Sequence, residues 1–311
     1  MLAALAPLLL VTLAGVLFGR LGLIRQPDSA IATLNRFCLY LAFPALIFAN
    51  VYTARLSLAA APGFVAASLV PSLVLLAGIA LITRRVEPDA RAALGIGSML
   101  GNIAYLGIPL SAGLLGSQVI GLASMSAALH IVLSIPLGTW VLLRWGRPTG
   151  AASRGPWAEV VRQPLVWAPV VALLARLVPA AIVEPVIPPA KWIGAAASPV
   201  ALFMIGLYLH THARALADLR WTDAGLIAAK LLVLPALALA CVLVGLRLGW
   251  LEPEVGKVVI VQAAMPTAIT TFALAEEYQV GREPLVRGIV GGTILFMLTF
   301  WLLGPLLALL G

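Results

Sequence analysis

The chain has few charged residues. Asp, Glu, Lys and Arg make up 10% of its 311 residues, and hydrophobic residues make up 62%, whereas an average soluble domain has roughly 25% charged residues. So much apolar surface does not fit inside one soluble core, which excludes a water-soluble enzyme. It also excludes a disordered chain. The composition predicts a polytopic helical membrane protein without a sizeable soluble domain.

Motifs that other protein classes require are also missing. The two cysteines, Cys38 and Cys241, lie in apolar runs, so neither a disulfide nor a metal cluster is expected. The sequence has no G-x-x-x-x-G-K-[ST] phosphate loop, no H-E-x-x-H motif and no pair of aspartates in the cores of its apolar runs. The net charge of +8 is spread between the runs rather than clustered. It therefore indicates membrane loops rather than binding of nucleic acid.

Ten apolar runs are long enough to span a bilayer. They lie at about 3–23, 30–53, 62–83, 92–115, 117–143, 164–181, 189–210, 222–246, 255–279 and 285–309. Helices are expected because lipid leaves no partner for unpaired backbone groups. The first run begins without positive charge before Arg20, so it is predicted to be a retained span rather than a signal peptide.

Loop charges predict the orientation of these spans. With the N-terminus outside, thirteen Lys and Arg residues fall in inner loops and five in outer loops, which places both termini outside a bacterial inner membrane. The inner residues are Arg20, Arg25, Arg84, Arg85, Arg91, Arg144, Arg147, Arg154, Arg162, Arg214, Arg220, Arg282 and Arg287. The outer residues are Arg55, Arg176, Lys191, Arg247 and Lys257.

Prolines recur in the same order in both halves of the chain. The pairs are Pro7 with Pro169, Pro44 with Pro199, Pro71 with Pro235 and Pro109 with Pro266. Their nearly constant spacing indicates a duplicated five-helix unit, at 1–145 and 164–311, joined by a cytoplasmic linker at 146–163. Because five is odd, the second unit is inverted in the membrane. Inverted repeats are typical of secondary transporters.

The fourth and ninth spans contain the candidate site. Each has a proline near its middle, which breaks helical hydrogen bonding, and such backbone survives at that depth only beside a cavity or inside protein. Two broken helices that cross there direct their N-termini at one point, which favours a small carboxylate. Proline kinks with polar residues that join neighbouring helices are the alternative. The predicted substrate-binding residues are Asn102, Tyr105, Pro109, Gln262, Met265, Pro266, Thr267 and Thr270.

Charged and titratable residues inside the spans add candidates. Lys230 lies about eight residues into the eighth span, where an ammonium group needs a partner or a cavity. It is predicted to bind the substrate carboxylate, and the alternative is that its stem carries the ammonium to the inner interface. His130, near the middle of the fifth span, and Glu276, at the inner end of the ninth, are candidates for coupling. A core histidine and a solvated carboxylate are the alternatives.

Three stretches resemble the auxin efflux carrier family: LNRFCLYLAFPALIF at 34–48, GNIAYLGIPL at 101–110 and MPTAITTFALAEEYQ at 265–279. With the length and span number, the resemblance covers nearly the whole chain. It implies a ten-helix fold with a scaffold domain at 1–60 plus 164–215, often dimeric, and a mobile transport domain at 61–145 plus 216–311. It also implies elevator-type transport of an organic anion, with the crossing at Pro109 and Pro266. The short linker is similar to that of the bacterial branch, which includes malonate-type carriers.

Other functions stay open as alternatives. A sodium-coupled symporter of the bile-acid type has a similar architecture, and Asn102, Gln262 and carbonyls at the breaks are its candidate Na⁺ ligands. Three hypotheses on coupling stay open: the transport is coupled to H⁺, it is coupled to Na⁺, or it is not coupled to an ion. A channel or a receptor is the alternative of another class. The expected partners are a small organic anion, the bilayer and a second copy of the chain, with no cofactor, metal or nucleic acid.

Overall fold

The computed structural model describes residues 2–54, 61–148, 157, 161–162 and 164–310, and these residues are mostly helical. Arg55, Arg154 and most of the predicted linker at 146–163 lie outside this part. Six helical runs are long and apolar enough to cross a membrane: Pro27–Thr53, Ala61–Ile82, Ser117–Trp145, Ala180–Asp218, Trp221–Arg247 and Arg282–Ala308. Shorter apolar helices are Ala6–Arg20, Ile103–Leu115 and Pro164–Ala175. The described residues are thus consistent with the expected helical membrane protein.

The helices in the first half of the chain are α1 (Leu2–Arg20), α2 (Pro27–Phe37), α3 (Phe43–Thr53), α4 (Ala61–Ile82), α5 (Pro88–Met99), α6 (Ile108–Leu115) and α7 (Ile120–Trp145). The second half contains α8 (Pro164–Ala175), α9 (Ala180–Val183), α10 (Ile187–Ala195), α11 (Ala197–His212), α12 (Trp221–Ala228), α13 (Leu234–Arg247), α14 (Pro253–Ala263), α15 (Thr270–Tyr278), α16 (Arg282–Thr299) and α17 (Leu303–Ala308).

The chain forms two compact units. The first consists of Met1–Leu56, Ala104–Ala128 and Val161–Ala213, and the second of Ser57–Ile103, Leu129–Val160 and Arg214–Gly311. In the first unit, α1 packs along α11, and α3 packs against α8 and α10. In the second unit, α4 packs against α5, α13 and α14, while α12 packs against α5 and α16. The second unit contains Asn102, Lys230 and Pro266.

Three wide turns of π-helix lie directly before a proline. They are Cys38–Ala42, Ile103–Gly107 and Ala229–Val233, and the second residue of the helix that follows is Pro44, Pro109 or Pro235, respectively. Proline lacks an N–H group and its ring collides with the carbonyl four residues earlier. A π-turn shifts the bonding to i→i−5, so the helix continues through the proline without unwinding.

Glycines allow α1 and α11 to approach each other closely. Gly15 and Gly19 of α1 form a G-x-x-x-G motif, and a Cβ atom on Gly15 would overlap the carbonyl oxygen of Phe203 in α11. In the same way, a Cβ on Gly206 would overlap the carbonyl oxygen of Thr12. Such contacts are typical of helix pairs in membranes, where close van der Waals packing drives association.

We expect Gly206→Ala to destabilise the first unit. The added methyl group collides with rigid backbone rather than with a movable side chain, so the free energy of unfolding falls by about 3 kcal/mol. Gly78→Ala is the matched control, because no heavy atom lies within 4 Å of a Cβ built at Gly78 in α4. Thermal unfolding in detergent measures both variants. Equal melting temperatures for the two variants would contradict the close α1–α11 contact.

Arg176 caps the C-terminal end of α3 in the same unit. Its Nε donates to the carbonyl oxygen of Tyr52 at 3.0 Å, and its terminal nitrogen donates to the carbonyls of Val51 and Ala54. The last carbonyls of a helix have no partner within it, and a cation favours the negative end of the helix dipole. Arg176 therefore joins the chain after α8 to the end of α3.

Candidate functional site

Two helical segments are interrupted within the second unit. Helix α5 ends at Met99. Helix α14 ends at Ala263, and six residues, among them Pro266, separate it from the start of α15 at Thr270. The break in the fourth predicted span therefore lies at residues 100–102, before Pro109 rather than at it. The π-turn before Pro109 absorbs the missing hydrogen bond, so the chain is helical on both sides of that proline.

The two interrupted segments pair with each other through their backbones. Gly101 and Thr267 form an isolated antiparallel bridge. The N–H of Asn102 donates to the carbonyl oxygen of Pro266 at 2.7 Å, and the N–H of Ala268 donates to Leu100 at 3.0 Å. Unpaired backbone groups are very unfavourable inside a membrane, so each break supplies the hydrogen bonds that the other needs. The two breaks therefore meet at this bridge, called the crossing from here on, whereas the sequence predicted a crossing at Pro109 and Pro266.

Side chains satisfy the carbonyls at both helix ends. The hydroxyl of Thr267 donates to the carbonyl of Gly97 near the end of α5, at 2.9 Å. The Nζ of Lys230 donates to the carbonyl of Ala263, the last residue of α14, also at 2.9 Å. Lys230 is only 2% exposed, so its ammonium group is directed into the crossing. In this conformation the side chain of Lys230 does not extend to the inner interface, which was the alternative.

Gly101 leaves the space that the ammonium group occupies. A Cβ atom at this position would lie 2.9 Å from Nζ and 3.0 Å from Cε of Lys230, and real Cβ atoms rarely come so close to other heavy atoms. The absence of a side chain at Gly101 therefore lets Lys230 approach the paired backbone. This contact was not predicted, because sequence spacing does not show which residue of a break faces another span.

Helix ends of both signs meet at the crossing. The C-terminal ends of α5 and α14 have partial negative charge, and the N-terminal ends of α15 and of the helical run that begins at Ile103 have partial positive charge. The sequence predicted an effect of the N-terminal ends, but the C-terminal ends offset it. The formal charge of Lys230 therefore determines the sign of the local potential.

Asn102 supplies a second donor at the crossing. Asn102 is 4% exposed, and its amide nitrogen is buried without a hydrogen-bond partner among the residues that the structure describes. A buried donor without a partner is unfavourable by about 1–3 kcal/mol, which an acceptor from a bound molecule removes. Gln262, Met265, Pro266 and Thr267 are also buried in this region, and Thr270 is partly buried at the start of α15.

Comparison with known proteins identifies the family. Residues 1–303 match the membrane transport protein family, which is the auxin efflux carrier family. The chain belongs to this family. It is also 26% identical over 290 residues to a protein of Rhizobium meliloti (strain 1021) named "Putative malonate transporter", covering 89% of this chain and 87% of that protein. The resemblance predicted from the three stretches is confirmed, and the protein is a membrane transporter rather than an enzyme.

In this member of the auxin efflux carrier family, two of the predicted substrate-binding residues, Tyr105 and Pro109, lie in the first unit and not in the second. Tyr105 is buried there, its hydroxyl donates to Oδ1 of Asn35 at 2.7 Å, and its ring stacks on Phe43 at 5.1 Å. Tyr105 therefore takes part in aromatic packing and in a hydrogen bond within the first unit. Pro109 lies at the start of α6, also in the first unit.

The two coupling candidates have different surroundings. His130 of α7 is buried and has a partner. Glu276 lies near the end of α15 and forms an ion pair with Arg282 at 3.2 Å, with about half of each side chain exposed. The geometry of Glu276 is that of a solvated surface ion pair, which contributes little to stability.

A buried ion pair was missed by the sequence analysis. Asp223 of α12 is fully buried, and its Oδ2 accepts a hydrogen bond from Nε of Arg287 in α16 at 2.6 Å. The same oxygen accepts from the backbone N–H of Arg220. Arg287 was counted as a loop charge, but it lies within α16 and is 4% exposed. Charge counting treats residues near a span end as loop residues, so it does not detect pairs buried there.

A cavity of about 450 Å³ lies beside the crossing, between the α12–α13 and α16–α17 segments. It contacts Ala264 in the second break, and among the described residues that line it Thr299 is the one with a polar side chain. Leu232 and Leu302, which also line it, are largely exposed on the surface. This apolar cavity offers no partner for a carboxylate, so the donors at the crossing define the anion site better.

Proposed function

We propose that the protein is a secondary transporter that moves a small organic anion across a bacterial inner membrane. The observation that carries this proposal is the environment of Lys230. Its ammonium group has three N–H donors, of which one bonds to the carbonyl of Ala263, and it forms no ion pair within the described residues. A buried charge needs an opposite charge nearby. A substrate carboxylate at the crossing supplies it.

The other predicted substrate-binding residues support an anion at the same place. Asn102 offers its unpartnered amide nitrogen, and the start of α15 at Thr270 offers the positive end of a helix dipole. Gln262, Met265 and Pro266 form the buried surroundings. Hydrogen bonds from these donors to a charged acceptor are about twice as strong as neutral ones.

We infer a ten-span topology with two inverted repeats. Helices α5–α6 and α14–α15 form the fourth and ninth spans, and the short helices α1 and α8 begin the two halves. The antiparallel pairing of Gly101 with Thr267 supports an inverted relation of the two breaks. Both termini then face outward, as the loop charges indicate.

An elevator mechanism fits this topology. Lys230, Asn102 and the second break all lie within the predicted transport domain at 61–145 plus 216–311, so the domain carries the bound anion as it moves against the scaffold domain at 1–60 plus 164–215. Alternating access of inverted repeats around one site is the general design of secondary transporters. A dimer formed through the scaffold domains belongs to the same proposal.

The name of the Rhizobium relative suggests the first compound to test. Malonate is a small dicarboxylate, and at least one of its carboxylates matches the donors at the crossing. Uptake of labelled malonate into proteoliposomes that contain the purified protein is the direct experiment. Saturable uptake supports a carrier, and its absence for malonate and for a panel of other carboxylates would contradict the proposal.

Asn102→Ala tests the position of the site. The variant loses a donor to a charged acceptor, which is worth about 1.5–3 kcal/mol, so malonate binding weakens by about 10- to 100-fold. Asn50→Ala is the matched control, because the amide of Asn50 donates to its own helix at Leu46. Isothermal titration calorimetry with both variants measures the difference. Equal affinities would remove Asn102 from the site.

A further inference from the structure

The buried interior contains one unbalanced positive charge. Among the residues that the structure describes, the buried side chains with a formal charge are Asp223, Lys230 and Arg287. Asp223 and Arg287 neutralise each other at 2.6 Å. Lys230 donates to a neutral carbonyl oxygen, so the crossing has one positive charge that this contact does not balance.

Within the described part of the chain, the helices packed against Lys230 bring no second cation to it. The π-turn that contains Lys230 contacts α5, α12, α13 and α16, and its ammonium group contacts the end of α14. The charged residues of these helices are paired with each other, as Asp223 is with Arg287, or lie near helix ends away from the crossing. Those near helix ends are Asp89, Arg91, Arg247, Glu254, Lys257, Arg282 and Glu283, of which Arg282 pairs with Glu276 and Glu283 with Arg287. His130 of α7 is a buried titratable group with a partner of its own.

We infer that this carrier selects the singly charged form of its substrate. A dicarboxylic acid such as malonate is then transported with one carboxylate and one protonated carboxyl group, whereas the dianion is excluded. One carboxylate is balanced by Lys230, but a second one at the crossing would be a buried charge without a partner, which is unfavourable by several kcal/mol. This inference rests on the proposed function, because it concerns the charge state of the same anion.

The dependence of malonate binding on pH tests the inference. The second carboxyl group of malonate titrates in mildly acidic solution, and above that range the fraction of monoanion falls tenfold per pH unit. The apparent dissociation constant of the full-length protein for malonate therefore rises by about tenfold per pH unit. Monomethyl malonate, which has one carboxyl group, stays a monoanion over the same range. Any change in its affinity between about pH 6.5 and about pH 8.5 therefore comes from the protein, and malonate affinity is expected to fall about tenfold per pH unit more steeply than that of monomethyl malonate.

Calorimetry with both probes on the same detergent-solubilised protein separates the outcomes. Malonate affinity that stays constant or rises with pH, with weaker binding of monomethyl malonate, would show that the dianion is bound and would overturn the inference while leaving anion transport intact. A loss of affinity with the same pH slope for both probes would place the titration wholly in the protein and would also overturn it. Failure of both probes and of other carboxylates to bind would instead contradict the proposed function.

Discussion

Lys230→Met is expected to abolish anion binding without unfolding the protein. Methionine has a similar length but no charge, so the substrate carboxylate loses its counter-charge at the crossing. Loss of one partner of a buried charge pair weakens binding by about 2–5 kcal/mol, which is a reduction of about 30-fold to several thousand-fold. Calorimetry with malonate and uptake into proteoliposomes measure the effect. Lys191→Met, at an exposed position of α10, is the matched control with unchanged binding.

The stability of the same variant separates a binding role from a structural role. In the absence of anion, Lys230→Met removes a buried charge and one hydrogen bond to Ala263, so the melting temperature is expected to stay equal or to rise. If Lys230 served only to cap α14, the variant would melt at a lower temperature, and its folded fraction would bind malonate normally. That combination would exclude Lys230 as the counter-charge.

Gly101→Ala provides a second test through the neighbouring backbone. The added Cβ displaces the ammonium group, because it would lie 2.9 Å from Nζ, so malonate affinity is expected to fall. In a Lys230→Ala background the space is empty, and Gly101→Ala is expected to have little further effect. A double-mutant cycle measures this coupling. Additive effects on affinity would contradict direct contact between the two positions.

Arg287→Met is expected to destabilise the second unit strongly. The substitution leaves the fully buried carboxylate of Asp223 without its cation, and breaking one side of a buried ion pair lowers the free energy of unfolding by about 3–5 kcal/mol. Thermal or denaturant unfolding in detergent measures the loss. Arg282→Met is the matched control on the same helix, because its ion pair with Glu276 is about half exposed and contributes little.

A second substitution shows whether the loss comes from the unpaired charge. Asp223→Asn in the Arg287→Met background removes the remaining charge and keeps an oxygen that accepts from the N–H of Arg220. We expect the double variant to recover most of the lost stability. A double variant as unstable as Arg287→Met alone would indicate that packing of the arginine stem, rather than charge pairing, stabilises the contact between α12 and α16.

The membrane class and the family were predictable from the sequence, which also selected residues of the candidate site. Hydropathy and charge content are sums over local residues, so they predict a helical membrane protein wherever the helices pack. The family follows from short stretches, such as the one that contains Pro266, that keep their residue order. Lys230 and Asn102 were recognised because polar groups at mid-span depth need a partner in any fold.

The tertiary structure decided how these residues are paired. The prolines at 109 and 266 look equivalent in the sequence, yet a π-turn keeps the helix intact at Pro109, and the break falls at Gly101 instead. Likewise, Asp223 and Arg287 are 64 residues apart and each resembles a loop charge. Both outcomes depend on which side chains meet across packed helices, and such non-local contacts leave no periodic or compositional signal in the chain. The composition determined that this protein is a membrane protein, and the packing of its helices determined which charges pair.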